Sequence, residues 1–187
     1  MNLHKDIFTI LNAPTYYPLQ TKIGYCWPEQ VRLIVEANYN LKSKNEGFYT
    51  STLLQKLIWG MMPRQILKIL KKHWFRPKIG FLKWKKHDKI SFLKKKLQIW
   101  PIVLMITHAY NSKTRFNLLR ALWLHHYISI WWYNEKDQVF YVYDSSISTN
   151  IRSDIPIWNT TFSYNEIIRY WKYPVLWLVR NLYISMW

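Results

Sequence analysis

The chain has 187 residues, half of them hydrophobic, and a formal net charge of +17. That length fits one domain, expected to span residues 1–187, whose single core buries about 70% of the surface exposed by the unfolded chain. A lone cysteine excludes an internal disulfide, and no apolar run reaches the roughly 18 to 20 residues that a membrane-spanning helix needs.

At the start, "MNLHKDIFTILNAPTYY" places His4 and Asp6 ahead of a short apolar stretch and shows no small-residue cleavage site. This argues against a secretory signal, so the cytoplasm is the expected location, with non-classical export or delivery into another cell left open. In "WPEQVRLIVEANYN", Val31, Ile34, Val35 and Asn38 recur at helical spacing, and Pro28 and Glu29 suit a first turn. A helix is therefore expected from about Trp27. Two short helices follow, over residues 47–60 and 61–75, the second opened by Pro63 with Ile66, Ile69 and Leu70 on one side. Residues 76–100 read as a strand or loop and then a short basic helix.

Beyond residue 100 the period changes. "PIVLMIT", "LWLHHYISIWWY", "QVFYVYDSS" and "PVLWLVRNLYI" are rich in β-branched and aromatic residues and are separated by turn signals. Between the last two, "TFSYNEIIRYWK" reads as a helix with Ser163 as N-cap and Glu166 three residues on. Helices lead and strands follow, which indicates an α+β fold: an N-terminal helical half packed on a C-terminal antiparallel sheet. The last strand reads as buried, although Trp177, Tyr183 and Trp187 would also suit a membrane surface.

The strand pair around Asn134, Glu135 and Lys136 allows a geometric argument. A hairpin centred on Glu135 sets His126 opposite Asp144 on one face, near enough for the carboxylate to accept a hydrogen bond from the ring. A bulge would spoil this register. Alternation groups His126 with Leu124, Ile128 and Ile130, the more aliphatic and hence core-facing row, and this favours it over its neighbour His125. Asp137 reads as a turn residue only. Cys26 precedes the first helix, whose free N–H groups, with a nearby imidazolium, favour a thiolate. Gln20, six residues earlier, is placed to donate to an oxyanion beside the Cys26 N–H, and Gly24 would let that loop pass close to substrate.

"QTKIGYCW" resembles papain-like cysteine proteases in its Gln-x5-Cys spacing and in Gly24, Cys26 and Trp27. The rest is similar to the double-glycine, bacteriocin-processing cysteine peptidase-like proteins of bacteria. The matching positions are Gly60 and Pro63 of a helical G-x-x-P segment, Pro101, Ile102 and Val103 of a strand, His126 to Ile130 of the next, and Asp144 after Tyr141, Val142 and Tyr143. The resemblance covers nearly the whole chain. It implies a papain-like α+β fold, Cys26 as nucleophile, His126 as base and acid, Asp144 as its orienter and Gln20 in the oxyanion hole. Two features depart from the family: Trp27 stands where glycine commonly follows the cysteine, and the lysine-rich stretch at about residues 71–96 is an embellishment of the helical half.

Between residues 56 and 96 there are fourteen Lys and Arg against one acid, Asp88. The plain reading is a solvated helical face. Interleaved Trp74, Phe75, Trp84 and Trp100 also fit an acidic protein, nucleic acid or an anionic membrane as partner. His73, His87 and His108 have no metal-site spacing, and neither metal nor cofactor is expected. Two functions follow: a cysteine peptidase acting on a peptide or protein, with acyl transfer as a variant of the same chemistry, or a non-enzymatic basic binding module on the same scaffold.

Overall fold

The computed structural model describes residues 26–39, 49, 63–82, 85–107, 125–147, 159–172 and 181–186. The first helix, α1 (Cys26–Tyr39), starts one residue earlier than the sequence suggests. Every side chain from Cys26 to Ala37 is buried, Glu29, Gln30, Arg32 and Glu36 included. Charged groups at such depth need partners. Arg32 Nη2 lies 2.7 Å from Glu29 Oε2, and Tyr49 Oη donates to Glu36 Oε1 at 3.1 Å.

The helix α2 (Pro63–Lys72) opens on its proline and buries Ile66, Ile69 and Leu70, as its spacing predicts. The helix expected over residues 47–60 lies outside the described residues, apart from Tyr49. The stretch after α2 forms strand β1 (Lys78–Phe81) and helix α3 (Lys86–Leu97). Next come β2 (Ile102–Thr107), β3 (His125–Asn134), β4 (Val139–Tyr143), β5 (Thr160–Ser163), α4 (Tyr164–Trp171) and β6 (Leu182–Ser185). The capping box anticipated at Ser163 is present: its hydroxyl accepts from Glu166 N–H, and the Glu166 carboxylate accepts from Ser163 N–H at 2.9 Å. The two residues before it, Thr161 and Phe162, belong to β5 rather than to the helix.

The strands form one antiparallel sheet in the order β1-β6-β2-β3-β4-β5. The fold is α+β, with helices on both faces of the sheet. Val103, Met105, Tyr127 and Ile184 pack with α1 and α2, while Leu104, Ile106, Ile128 and Phe140 pack with Leu93 and Leu97 of α3 and with Ile167 and Trp171 of α4. Both rows of β3 are thus core-facing, so the aliphatic character of one row does not by itself choose between His125 and His126.

Two lysines of the basic stretch serve the core. Lys89, buried, donates to Asn181 Oδ1 at 2.9 Å, and Asn181 Nδ2 donates to Leu82 C=O at 2.6 Å. Lys94 pairs with Glu135 at 2.7 Å and lies over the Tyr164 ring, 4.4 Å from its centroid. Among the described residues no helix is long and apolar enough to cross a membrane. On the edge pair β1 and β6, Gly80 sits opposite Tyr183, and a Cβ at Gly80 would run into the Tyr183 ring. Gly80→Ala is therefore expected to destabilise the fold by about 1–3 kcal/mol, measured as a fall in the urea midpoint.

Candidate active site

Three elements end together. Cys26 is the first residue of α1, His126 the second of β3, and Asp144 the first after β4. Gln30, one helical turn beyond Cys26, donates from Nε2 to the Tyr127 carbonyl at 3.0 Å and so ties the start of α1 to the strand residue after His126.

The strand register differs from the one expected. The turn takes four residues, Glu135 to Gln138, with Asn134 paired to Val139. Asn134 organises it, accepting from Lys136 N–H at 2.9 Å and donating to Asp137 Oδ2 at 2.5 Å, so Asp137 is a turn residue as anticipated. Gln138 closes the turn in the left-handed region, φ 52°. An irregularity between Ile130 and Trp132 then shifts the pairing, and Ser129 faces Tyr143. Asp144 is therefore diagonal to His126 rather than directly opposite. The displacement is two residues, an even number, so face is kept and the side chains still meet.

His126 Nε2 and Asp144 Oδ1 are 2.6 Å apart, with His126 only 4% and Asp144 2% exposed. Burial would lower the His126 pKa, but the hydrogen bonds to Asp144 and Cys26 and their charges overcome it and raise it to about 10. Burial likewise opposes ionisation of Asp144, yet His126 and two hydrogen bonds from Ser146 bring its pKa down to about 2. Those bonds come from Ser146 N–H at 2.8 Å and Oγ at 2.6 Å, both to Oδ1. The Cys26 thiol is itself buried and near enough to the ring to help raise the His126 pKa. With Nε2 turned to Asp144, Nδ1 is the ring nitrogen open to a second partner.

Asn159 fixes the Asp144 backbone. Its Oδ1 accepts from Asp144 N–H at 2.8 Å, and its Nδ2 donates to Asp144 C=O at 2.7 Å, so the side chain acts as a strand partner just where β4 stops. Sequence reasoning missed Gln30, Ser146 and Asn159. Ser146 carries a local signal, since an Asp-x-Ser turn lets the carboxylate cap its own chain. Asn159, fifteen residues from Asp144, carries none.

Cys26, His126 and Asp144 are thus brought together. Gln20 and Gly24 lie outside the described residues. His125 pairs with Thr107 through the backbone, and its side chain lies outside the described part of the chain. Among the described residues no group of three or more His, Cys, Asp or Glu gathers to hold a metal.

Neither a protein-family model nor a curated protein sequence matches the chain. A solved structure does: the peptidase domain of Streptococcus ComA, a bi-functional ABC transporter involved in a quorum sensing pathway. The TM-score is 0.52 at 16% identity, over 91% of this chain and 98% of that one. The likeness is one of fold. The α+β arrangement implied by the order of motifs is the arrangement this chain has, and it is shared with that peptidase domain.

Proposed function

We propose that this chain is a cysteine peptidase that cleaves a peptide bond through an acyl-enzyme on Cys26. One observation carries the reading: His126 is held by Asp144 at 2.6 Å and lies near enough to the only thiol of the chain for that group to raise its pKa. Sharing its fold with a transporter's peptidase domain supports the same reading, and the family resemblance makes a peptide with a double-glycine leader the proposed substrate class.

In this mechanism the Cys26 proton rests on His126, and Sγ attacks the scissile carbonyl carbon. As the S–C bond forms, the carbonyl electrons move onto oxygen, where the Cys26 N–H and the Gln20 amide receive the charge. Collapse of that intermediate breaks the C–N bond, and His126 gives its proton to the departing amine. A water, deprotonated by His126, then attacks the thioester, releasing the acid and restoring the thiol. An amine in place of water would give acyl transfer by the same steps. Asp144 holds the ring in position and stabilises its cationic form throughout.

The single thiol makes the test direct. Alkylation by iodoacetamide, followed by intact mass between pH 5 and 8, is expected to remain fast near pH 6, to slow by about 10²-fold in His126→Ala and to persist in His125→Ala. A rate that falls identically with pH in all three proteins removes Cys26 from the mechanism.

A further inference from the structure

The end of α2 goes against the preference of its sequence. Phe75 N–H donates to Leu70 C=O at 3.1 Å and Trp74 N–H to Lys71 C=O at 3.0 Å, the two bonds of a Schellman ending. Such an ending needs one left-handed residue, usually glycine, and here it is Trp74, φ 66°. The side chain gains no burial in return, being 89% exposed. Strain held at an exposed aromatic residue points to a role outside the fold.

A second exposed apolar residue stands nearby. Phe75 meets Trp100 edge-on with ring centroids 6.1 Å apart, which sets the turn ending α2 beside the turn ending α3. Ile99, next to Trp100, is 58% exposed. Around these tips the exposed charged side chains at the two helix ends are cationic: Lys71 and Lys72 in the last turn of α2, Arg76 beyond it, and Lys95 in the last turn of α3, with the neutral Gln98 between Lys95 and Ile99. Between Trp74 and Arg76 lies an open recess of about 620 Å³, walled by Lys71, Phe75, Pro77 and Lys78.

We propose that this end of the molecule docks on an anionic lipid bilayer, with Trp74 and Ile99 entering the interface and the basic recess receiving a lipid phosphate. Charge complementarity identifies the occupant, since an anionic leaflet attracts each cation held near it. The amphipathic indole is suited to headgroup depth. A nucleic acid would use Trp74 as a stacking platform but would leave the aliphatic Ile99 without a task. Docking is independent of the peptidase chemistry and is tested without it.

The experiment is co-sedimentation of the full chain with phosphatidylcholine vesicles, with and without phosphatidylglycerol. Binding is expected only with the anionic lipid and is expected to weaken as salt rises. Trp74→Gly combined with Ile99→Ser should lose about tenfold or more in affinity. Trp74→Gly alone should raise Tm by a few degrees, because glycine relieves the strained turn, so lost binding will not reflect a damaged fold. Lys71→Gln with Arg76→Gln should cost about thirtyfold. Lys85→Gln with Lys86→Gln removes the same charge one length of α3 away, about 18 Å, and should cost less than about threefold. The proposal is overturned by equal losses from the two charge pairs, by no binding to phosphatidylglycerol vesicles, or by Trp74-dependent capture of a single-stranded oligonucleotide with no vesicle binding.

Discussion

Asp144→Ala is expected to cost about 3–5 kcal/mol of unfolding free energy near pH 5.5 and far less near pH 10, as read by urea denaturation at the two pH values. The size is that of breaking a buried ion pair by removing one partner, which leaves the other charge deep and without its carboxylate. With His126 4% and Asp144 2% exposed, solvent screens little of it. The direction follows from the two titrations. His126 is raised from 6.5 to about 10, so its contribution is complete below 6.5 and is lost as pH climbs through 10. Asp144 is lowered from 3.8 to about 2, so its contribution is present above 3.8 and is lost as pH falls through 2. The pair therefore stabilises most between pH 3.8 and 6.5. A loss in Asp144→Ala of equal size at pH 5.5 and 10 would mean that the ring gains no proton affinity on folding.

Much of this pair is legible in the amino-acid sequence, because an antiparallel hairpin ties position to arithmetic. Asn134, Glu135 and Lys136 mark a turn, and strand alternation restricts which residues share a face. The register itself is not legible. The four-residue turn rests on the Asn134 side chain, and the irregularity falls at Trp131, whose indole donates to Ser129 Oγ at 2.8 Å, beside Trp132 stacked on Tyr133 at 5.1 Å. Neither contact leaves a period in the sequence. The face survives because the two departures together move the pairing by an even number of residues.

The sheet's edges are hard to read for a related reason. β1 and β5 have only four residues each, too few for alternation to stand out from loop, and only pairing with β6 and β4 makes them strands. Helix α1 is easier to find than to explain. Its apolar spacing announces a helix with one buried side, but Glu29, Arg32 and Glu36 are buried as well, and their partners include Tyr49, thirteen residues from Glu36. The basic stretch divides in the same way: Lys89 and Lys94 belong to the core and its border, whereas Lys71, Lys72, Arg76 and Lys95 face solvent, a division that depends on tertiary partners such as Asn181 and Glu135.

Gln20→Ala is expected to lower turnover of an activated peptide ester by about 10²–10³-fold while leaving the iodoacetamide reaction of Cys26 within about twofold of the unaltered protein. The two reactions share the sulfur and differ in what happens to oxygen. Alkylation displaces iodide from a carbon where no oxyanion develops, so it reports only on thiol activation by His126. Acylation turns a carbonyl oxygen into an oxyanion, and a side-chain amide donor, the role proposed for Gln20, is worth most at that moment, when it stabilises the transition state more than the bound ester. His126→Ala, which removes the proton acceptor, should lower both rates. A parallel fall of both in Gln20→Ala would make Gln20 a support for the thiol, and unchanged ester turnover would take it out of the site.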